Sequence, residues 1–160
     1  MNMTSRRAFV SAFTAALFML AGAQAEPANN DSDYDAELAD ELGADDYGMR
    51  PYVLVILKTG PADITDEARR KELFAGHFSN MARLAEAGKL AVSGPFIEGG
   101  DMRGLYIFNV ADITEAEALV MTDPAVEAGI FTPELTKFYG SAALMVVNET
   151  HLKIQKKSVQ

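Results

Sequence analysis

The order of strand-like and helix-like segments across residues 51–139 constrains the fold of this chain more than any other feature. Each segment shows either the apolar pattern of a strand or the three-and-four spacing of a helix. In chain order they are strand 51–58, helix 66–87, strand 90–98, strand 103–110, helix 114–122 and strand 131–139. This β-α-β-β-α-β order predicts an α+β fold of the ferredoxin-like type, with a four-stranded antiparallel sheet and both helices on one face.

Residues at the ends of these segments support the assignment. Thr65 or Asp66 is expected to cap the first helix, Gly88 to end it, and Thr114 to cap the second. The segment Gly99-Gly100-Asp101 predicts the turn between the second and third strands.

The sheet face opposite the helices also has an apolar composition. Strand residues 53–57 and 105–110 are almost all apolar, which predicts burial on both faces. A homodimer that stacks sheet on sheet would cover this second face, and we expect one.

His77, one of two histidines, lies in the middle of the apolar stripe of the first helix. The stripe consists of Leu73, Phe74, His77, Phe78, Met81, Leu84 and Ala85. A buried imidazole needs a hydrogen-bond partner. One interpretation is a core histidine bonded to a backbone carbonyl. The other is a pocket histidine that moves protons, because its ordinary pKa of about 6.5 lies near working pH.

Two proline-containing motifs are the other unusual features of the domain. Ser93-Gly94-Pro95 predicts a bulge or a strand end, which is either a structural kink or the wall of a binding cavity. Asp123-Pro124 predicts an additional helical turn, and capping alone would account for the aspartate.

Residues 1–25 have the pattern of a signal peptide. Arg6 and Arg7 precede an apolar run over 8–23, and Ala23-Gln24-Ala25 is typical of a cleavage site. The arginine pair also resembles a twin-arginine export signal. We expect a periplasmic or secreted protein with no stable membrane insertion after cleavage, and an uncleaved anchor is the alternative.

Residues 26–50 form an acidic spacer that we expect to be disordered, since nine of them are Asp or Glu. The whole chain carries a formal net charge of −9, which makes nucleic acids and anionic membranes poor partners. There is no cysteine, so stability must come from a packed core and thiolate metal sites are excluded. The extension over 143–160 is predicted to form a helix followed by a basic tail, with His151 facing solvent.

Several short motifs occur in a fixed order between residues 52 and 142. They are Tyr52-Val53-Leu54-Val55, His77, Gly88-Lys89-Leu90, Ser93-Gly94-Pro95-Phe96, Asp123-Pro124 and Ala128-Gly129. Their order and spacing resemble the YCII-related (YciI-like) domain family, over a domain that we place at 51–142. The resemblance implies a dimeric α+β barrel and a histidine and aspartate acting as a catalytic pair, here His77 and Asp123.

The resemblance also leaves one position unmatched. Many relatives place an arginine three residues before the histidine, where this chain has Phe74, with Arg70 one turn further back. A role for that arginine in holding an anionic substrate is therefore not carried over.

We hypothesise acid–base chemistry in which Asp123 fixes the tautomer of His77 and the other ring nitrogen exchanges a proton with a small molecule. The reaction would be of lyase, isomerase or dehydrochlorinase type, with Ser93, Gly94 and Pro95 lining the binding site. We expect no cofactor and no metal, because one histidine and one carboxylate fall short of the three protein ligands of catalytic zinc. The alternative is a non-catalytic ligand-binding or interaction module.

Overall fold

The α+β fold is observed in a computed structural model that describes residues 33–158. Its elements are α1 (Ala36–Glu41), β1 (Met49–Thr59), α2 (Glu67–Glu86), β2 (Leu90–Pro95), β3 (Met102–Phe108), α3 (Ile113–Val120), α4 (Pro124–Glu127), β4 (Phe131–Ser141), a 3-10 helix (Ala142–Val146) and α5 (Val147–Ile154). The strands form one antiparallel sheet in the order β2-β3-β1-β4. This is the strand order of the ferredoxin-like arrangement, as the sequence predicts.

The core lies between the sheet and one layer of helices. Alternate residues of β1, namely Val53, Val55 and Leu57, join one buried cluster with residues of β3, α2, α3 and α4. Since one cluster includes residues of α2, α3 and α4, these three helices cover the same face of the sheet.

The opposite face is only partly covered within one chain. Leu54 and Ile56 of β1 are half-buried, as are Leu105 and Ile107 of β3, their partners across the strand pair. The dimer that would cover this face remains a prediction.

Helix α2 begins and ends as the sequence predicts. The side chain of Asp66 accepts the backbone N–H of Arg69 at 2.7 Å, which resolves the choice between Thr65 and Asp66. At the other end Gly88 adopts a φ of 67°, and Lys89 N–H donates to Leu84 at 2.9 Å. This is a Schellman motif, for which glycine is preferred because positive φ is strained in other residues.

The prediction that Thr114 caps α3 is wrong. Asp112 is the cap, because its carboxylate accepts the backbone N–H groups of both Thr114 and Glu115. Thr114 thus lies inside the helix, which begins at Ile113. At α4 the predicted cap, Asp123, is observed.

The prediction that residues 26–50 form a disordered spacer is wrong where the structure describes the segment. Helix α1 begins after its cap, Asp35, and strand β1 begins at Met49 instead of 51. Between them Asp45 accepts the N–H groups of Tyr47 and Met49, and the guanidinium of Arg50 donates to Leu42 O at 2.6 Å. Local hydrogen bonds therefore order a segment that buries few apolar side chains.

The remaining boundaries differ by a few residues. Strand β2 ends at Pro95, not 98, and β4 continues to Ser141. The C-terminal extension is helical as predicted, but its first turn, Ala142–Val146, is a 3-10 helix, and His151 is exposed. The predicted signal peptide at 1–25 lies outside the described residues. Among those described, no helix is both long enough and apolar enough to span a membrane.

Candidate active site

The candidate site forms where α2 passes the turn that starts α4. His77 is on the buried side of α2, and Asp123 is the residue that caps α4. The two lie 46 positions apart in the sequence, so only the packing of α2 against α4 brings them together. His77 keeps 8% of its surface exposed and Asp123 none.

A short hydrogen bond joins the two side chains. The distance from Nδ1 of His77 to Oδ2 of Asp123 is 2.6 Å, just shorter than the usual charge-assisted N–H···O bond of about 2.7–2.9 Å. The other carboxylate oxygen, Oδ1, accepts the backbone N–H of Ala125 at 2.9 Å. Asp123 therefore both caps α4 and binds the imidazole, so its capping role does not exclude a functional one.

Tyr106 of β3 is the third member of this buried group. Its hydroxyl donates to Oδ2 of Asp123 at 2.9 Å and lies 3.2 Å from Nδ1 of His77. The tyrosine is 2% exposed. One carboxylate oxygen thus accepts from both an imidazole and a phenol.

The electrostatics of the group favour an ionised aspartate. Burial raises the pKa of Asp123, but the hydrogen bond and the charge interaction with His77, the N–H of Ala125 and the hydroxyl of Tyr106 together lower it below its ordinary value. Burial, followed by the charge of Asp123 and the hydrogen bond to it, raises the pKa of Tyr106 well above its ordinary value. Tyr106 is therefore a neutral donor and Asp123 a charged acceptor.

An ionised Asp123 determines which ring nitrogen of His77 is available. Because the carboxylate only accepts, Nδ1 must carry the proton, which leaves Nε2 as the second nitrogen. No hydrogen bond to Nε2 is present among residues 33–158, and Nε2 is not one of the fully enclosed polar atoms without a partner. It follows that Nε2 is not fully enclosed, and the side chain of His77 keeps 10% of its surface exposed.

Aromatic side chains surround the imidazole. The ring centroids of Phe78 and Phe131 lie 5.4 and 5.3 Å from that of His77, and Phe74 lies 6.2 Å away. The guanidinium of Arg70 lies over the ring of Phe74, 5.5 Å from its centroid. The surroundings of the imidazole are therefore mainly apolar, with a cation one ring away.

The predicted binding residues lie on a neighbouring strand. Ser93 pairs with Tyr106 across β2 and β3 and so lies on the helix-covered face, although its side chain is exposed. Gly94 and Pro95 end β2, as predicted for a strand end, and the register shift is located further back, between Leu90 and Val92. Within the described part of the chain, no hydrogen bond joins these three residues to the histidine, and their binding role remains a prediction.

Sequence reasoning missed Tyr106 as a site residue. The residue lies in the predicted strand 103–110, whose apolar composition indicates burial, and a tyrosine in a core needs a partner for its hydroxyl. That requirement is the signal that could have identified it.

Groups of three or more His, Asp or Glu side chains suitable for a metal ion are absent from the described residues.

Comparison with known proteins identifies the domain. A family model described as YCII-related domain matches residues 52–136, just over half of the chain. A search of curated proteins found no match. A solved structure of 5-chloro-2-hydroxyhydroquinone dehydrochlorinase from Burkholderia phenoliruptrix AC1100, in complex with 2,5-dihydroxybenzoquinone, is similar at 21% identity and a TM-score of 0.40, covering 54% of this chain and 92% of that one.

At that TM-score the structural likeness carries no argument about activity. The family match agrees with the order of motifs and with the observed strand order, β2-β3-β1-β4. The chain belongs to the YCII-related domain family.

Proposed function

We propose that this protein is an enzyme that performs general acid–base chemistry on a small molecule, of lyase, isomerase or dehydrochlorinase type. The observation that carries the proposal is the 2.6 Å bond between Nδ1 of His77 and Asp123, together with an Nε2 that has no partner within residues 33–158. An imidazole held in one tautomer with its second nitrogen open is suited to proton transfer.

In this mechanism Nε2 of His77 removes a proton from the bound molecule. In an isomerisation it returns that proton to another atom of the same molecule. In an elimination the C–H bond and the bond to the leaving group break, a double bond forms, the leaving group departs with the electron pair, and His77 releases the proton to solvent. The imidazolium that forms keeps its Nδ1 proton directed at Asp123, whose negative charge stabilises it. Tyr106 holds the same carboxylate oxygen and limits its movement. The surrounding phenylalanines reduce competition from water.

A second candidate is a non-catalytic module that binds a small ligand. It is favoured by the capping bond from Ala125 N–H to Asp123, since helix capping, a satisfied core histidine and a satisfied core tyrosine together account for the hydrogen bonds of the pair. In this case ligand binding would not require an ionisable group at position 77.

The test is a screen of small aromatic and lactone compounds by thermal shift, followed by turnover assays on the compounds that bind. His77→Gln should bind but lose about 10² to 10⁴ in rate, the usual contribution of a positioned acid or base. His151→Gln is the matched control, because that histidine is exposed and should leave the rate unchanged. Equal rates in His77→Gln and the unmodified protein would contradict the enzymatic role, and binding without turnover would favour the module.

We also propose that the protein acts as a homodimer whose subunits stack through the open sheet face. The half-buried side chains Leu54, Ile56, Leu105 and Ile107 support this arrangement. Ile56→Lys places a charge on this face, and it should convert the dimer to a monomer in light scattering. A protein that is monomeric before the substitution would exclude the arrangement.

We propose a periplasmic or secreted location, from the sequence of residues 1–25 alone. Replacement of Arg6 and Arg7 by lysine separates the export routes, since the twin-arginine route depends on the arginine pair. Unchanged secretion of the double variant would favour the general route.

A further inference from the structure

Two contacts that flank the His77–Asp123 bond join the same two elements. In the first, Gly76, which precedes His77, contacts Pro124, which follows Asp123. In the second, Asn80, three residues after His77, is hydrogen-bonded to Thr122, which precedes Asp123. Helix α2 is therefore connected to residues 122–124 at three successive levels, and the His77–Asp123 bond is the middle one.

The contact at Gly76 depends on the absence of a side chain. A Cβ atom at this position would lie 2.9 Å from Cγ of Pro124 and 3.4 Å from its Cβ. The nearer distance is shorter than non-bonded carbons tolerate, and a proline ring has little freedom to yield. Glycine is unfavourable in the interior of a helix. Its presence in the middle of α2 is explained by this close approach to Pro124.

The contact at Asn80 is polar and joins a buried asparagine to an exposed threonine. Oδ1 of Asn80 lies 3.0 Å from the hydroxyl of Thr122, and the guanidinium of Arg83 donates to Oδ1 at 2.6 Å and to the same hydroxyl at 3.0 Å. The same hydroxyl lies 2.7 Å from Leu119 O, so its single proton is shared between that carbonyl and Oδ1 of Asn80, while Arg83 donates to both Oδ1 and the hydroxyl oxygen. These bonds fix the residue that precedes Asp123 to the buried face of α2.

The asparagine carries a cost that these bonds offset. It is 7% exposed, and its Nδ2 is enclosed without a partner in the part of the chain that the structure describes. An enclosed amide without a partner destabilises a fold, and an apolar side chain would avoid the cost while completing the stripe of α2. The benefit of Asn80 thus lies in the acceptor that it provides.

We propose that Gly76 and Asn80 are positioning residues that set the length of the bond between His77 and Asp123. Gly76 sets how closely α4 approaches α2, and Asn80, with Arg83 and Thr122, prevents the turn before Asp123 from rotating away. Loss of either contact lengthens the bond between His77 and Asp123 and weakens the preference of His77 for the tautomer protonated at Nδ1. The role matters for catalysis only if the proposed acid–base function holds, so the test measures the bond itself.

The experiment is proton NMR of the full chain labelled with ¹⁵N-histidine, in which the Nδ1 proton of His77 is resolved from the signals of the exposed His151. Gly76→Ala and Thr122→Val should each move that proton upfield and raise its exchange rate with water several-fold. Ser79→Ala is the control on the exposed side of α2, and Thr122→Ser, which keeps the hydroxyl, should restore the unmodified signal.

A second readout is the titration of the Asp123 carboxyl by ¹³C NMR. Because the bond from His77 lowers the pKa of Asp123, a longer bond should raise that pKa in both variants and leave it unchanged in the two controls. If Gly76→Ala does not fold, the comparison of Thr122→Val with Thr122→Ser decides whether the contact positions the bond. A folded Thr122→Val variant with lower thermal stability but unchanged proton signal and unchanged titration would overturn the positioning role.

Discussion

The molecule contains two aspartate–tyrosine hydrogen bonds in opposite environments. Asp123 and Tyr106 meet in the core, beside His77, whereas Asp45 and Tyr139 meet at the surface, where β4 passes the turn before β1. In both pairs the pKa of the aspartate is lowered and the pKa of the tyrosine is raised. The chemical groups are the same in the two pairs, but the causes of the lowered aspartate pKa differ.

The surface pair needs only its own hydrogen bonds. The hydroxyl of Tyr139 is the main cause of the lowered pKa of Asp45, followed by the backbone N–H of Met49. In the core, burial opposes ionisation, and the pKa of Asp123 falls only because His77 and the other donors outweigh it. The comparison shows that a buried carboxylate requires several donors at once, so the removal of any one has a larger effect there than at the surface.

Replacement of the two aspartates should give the largest contrast. Asp123→Ala is expected to lower the free energy of unfolding by about 3 kcal/mol, because it leaves two buried donors without an acceptor and removes the cap of α4. Asp45→Ala should cause a much smaller loss, since water can replace its bonds. Urea denaturation of both variants measures the difference, and equal losses would contradict the distinction.

Removal of the tyrosine hydroxyl in the core should have the next largest effect. Tyr106→Phe is expected to cost about 2 kcal/mol, the usual contribution of a buried hydrogen bond to a charged group. It should also raise the pKa of Asp123, which loses one of its donors. Denaturation and carboxyl titration test the two effects, and a variant as stable as the unmodified protein would show that the hydroxyl is dispensable.

The response to acid should be smaller but distinctive. Because the pKa of Asp123 in the folded chain lies below the ordinary value of 3.8, its contribution to stability is complete above that value and is lost as pH falls through the folded pKa. Asp45 acts in the same direction, but salt screens an exposed group. Denaturation between about pH 5 and pH 2 should therefore show a loss that Asp123→Asn removes, even at high salt.

The smallest effect is expected from the surface tyrosine. Tyr139→Phe removes the hydroxyl of a half-exposed tyrosine, which is bonded to an exposed carboxylate. Its melting temperature should equal that of the unmodified protein within experimental error. A loss as large as that of Tyr106→Phe would mean that the turn at Asp45 contributes to the core in a way that exposure does not reveal.

The fold was predictable because its signals are local. Periodicity gave the order of the strands and helices, and Gly88 gave the end of α2. The ordered turn around Asp45 was missed because composition indicated disorder, whereas single hydrogen bonds to Tyr47 and Met49 order the chain. The cap of α3 is Asp112, two positions before the predicted Thr114, because periodicity does not fix a helix end to within two residues.

The site was predictable only in part, because its contacts span different elements. The sequence brought His77 and Asp123 into one hypothesis through a family resemblance, and the structure places them in contact. The need of a buried tyrosine for a partner does not identify Oδ2 of Asp123 as that partner, and no pattern indicates that Gly76 faces Pro124, because both contacts depend on how α2, α4 and β3 pack in three dimensions. Local patterns specify which side of an element is buried, but not which residue of another element it meets.

The separation of the site residues along the chain also bears on how the protein folds. His77, Tyr106 and Asp123 are 29, 17 and 46 positions apart, pairwise, and come from a helix, a strand and a turn. A partly folded chain in which α2 is docked before the turn at α4 would bury an imidazole and a phenol without their acceptor. We therefore expect the transition state to lack this group, so that its loss accelerates unfolding more than it slows folding.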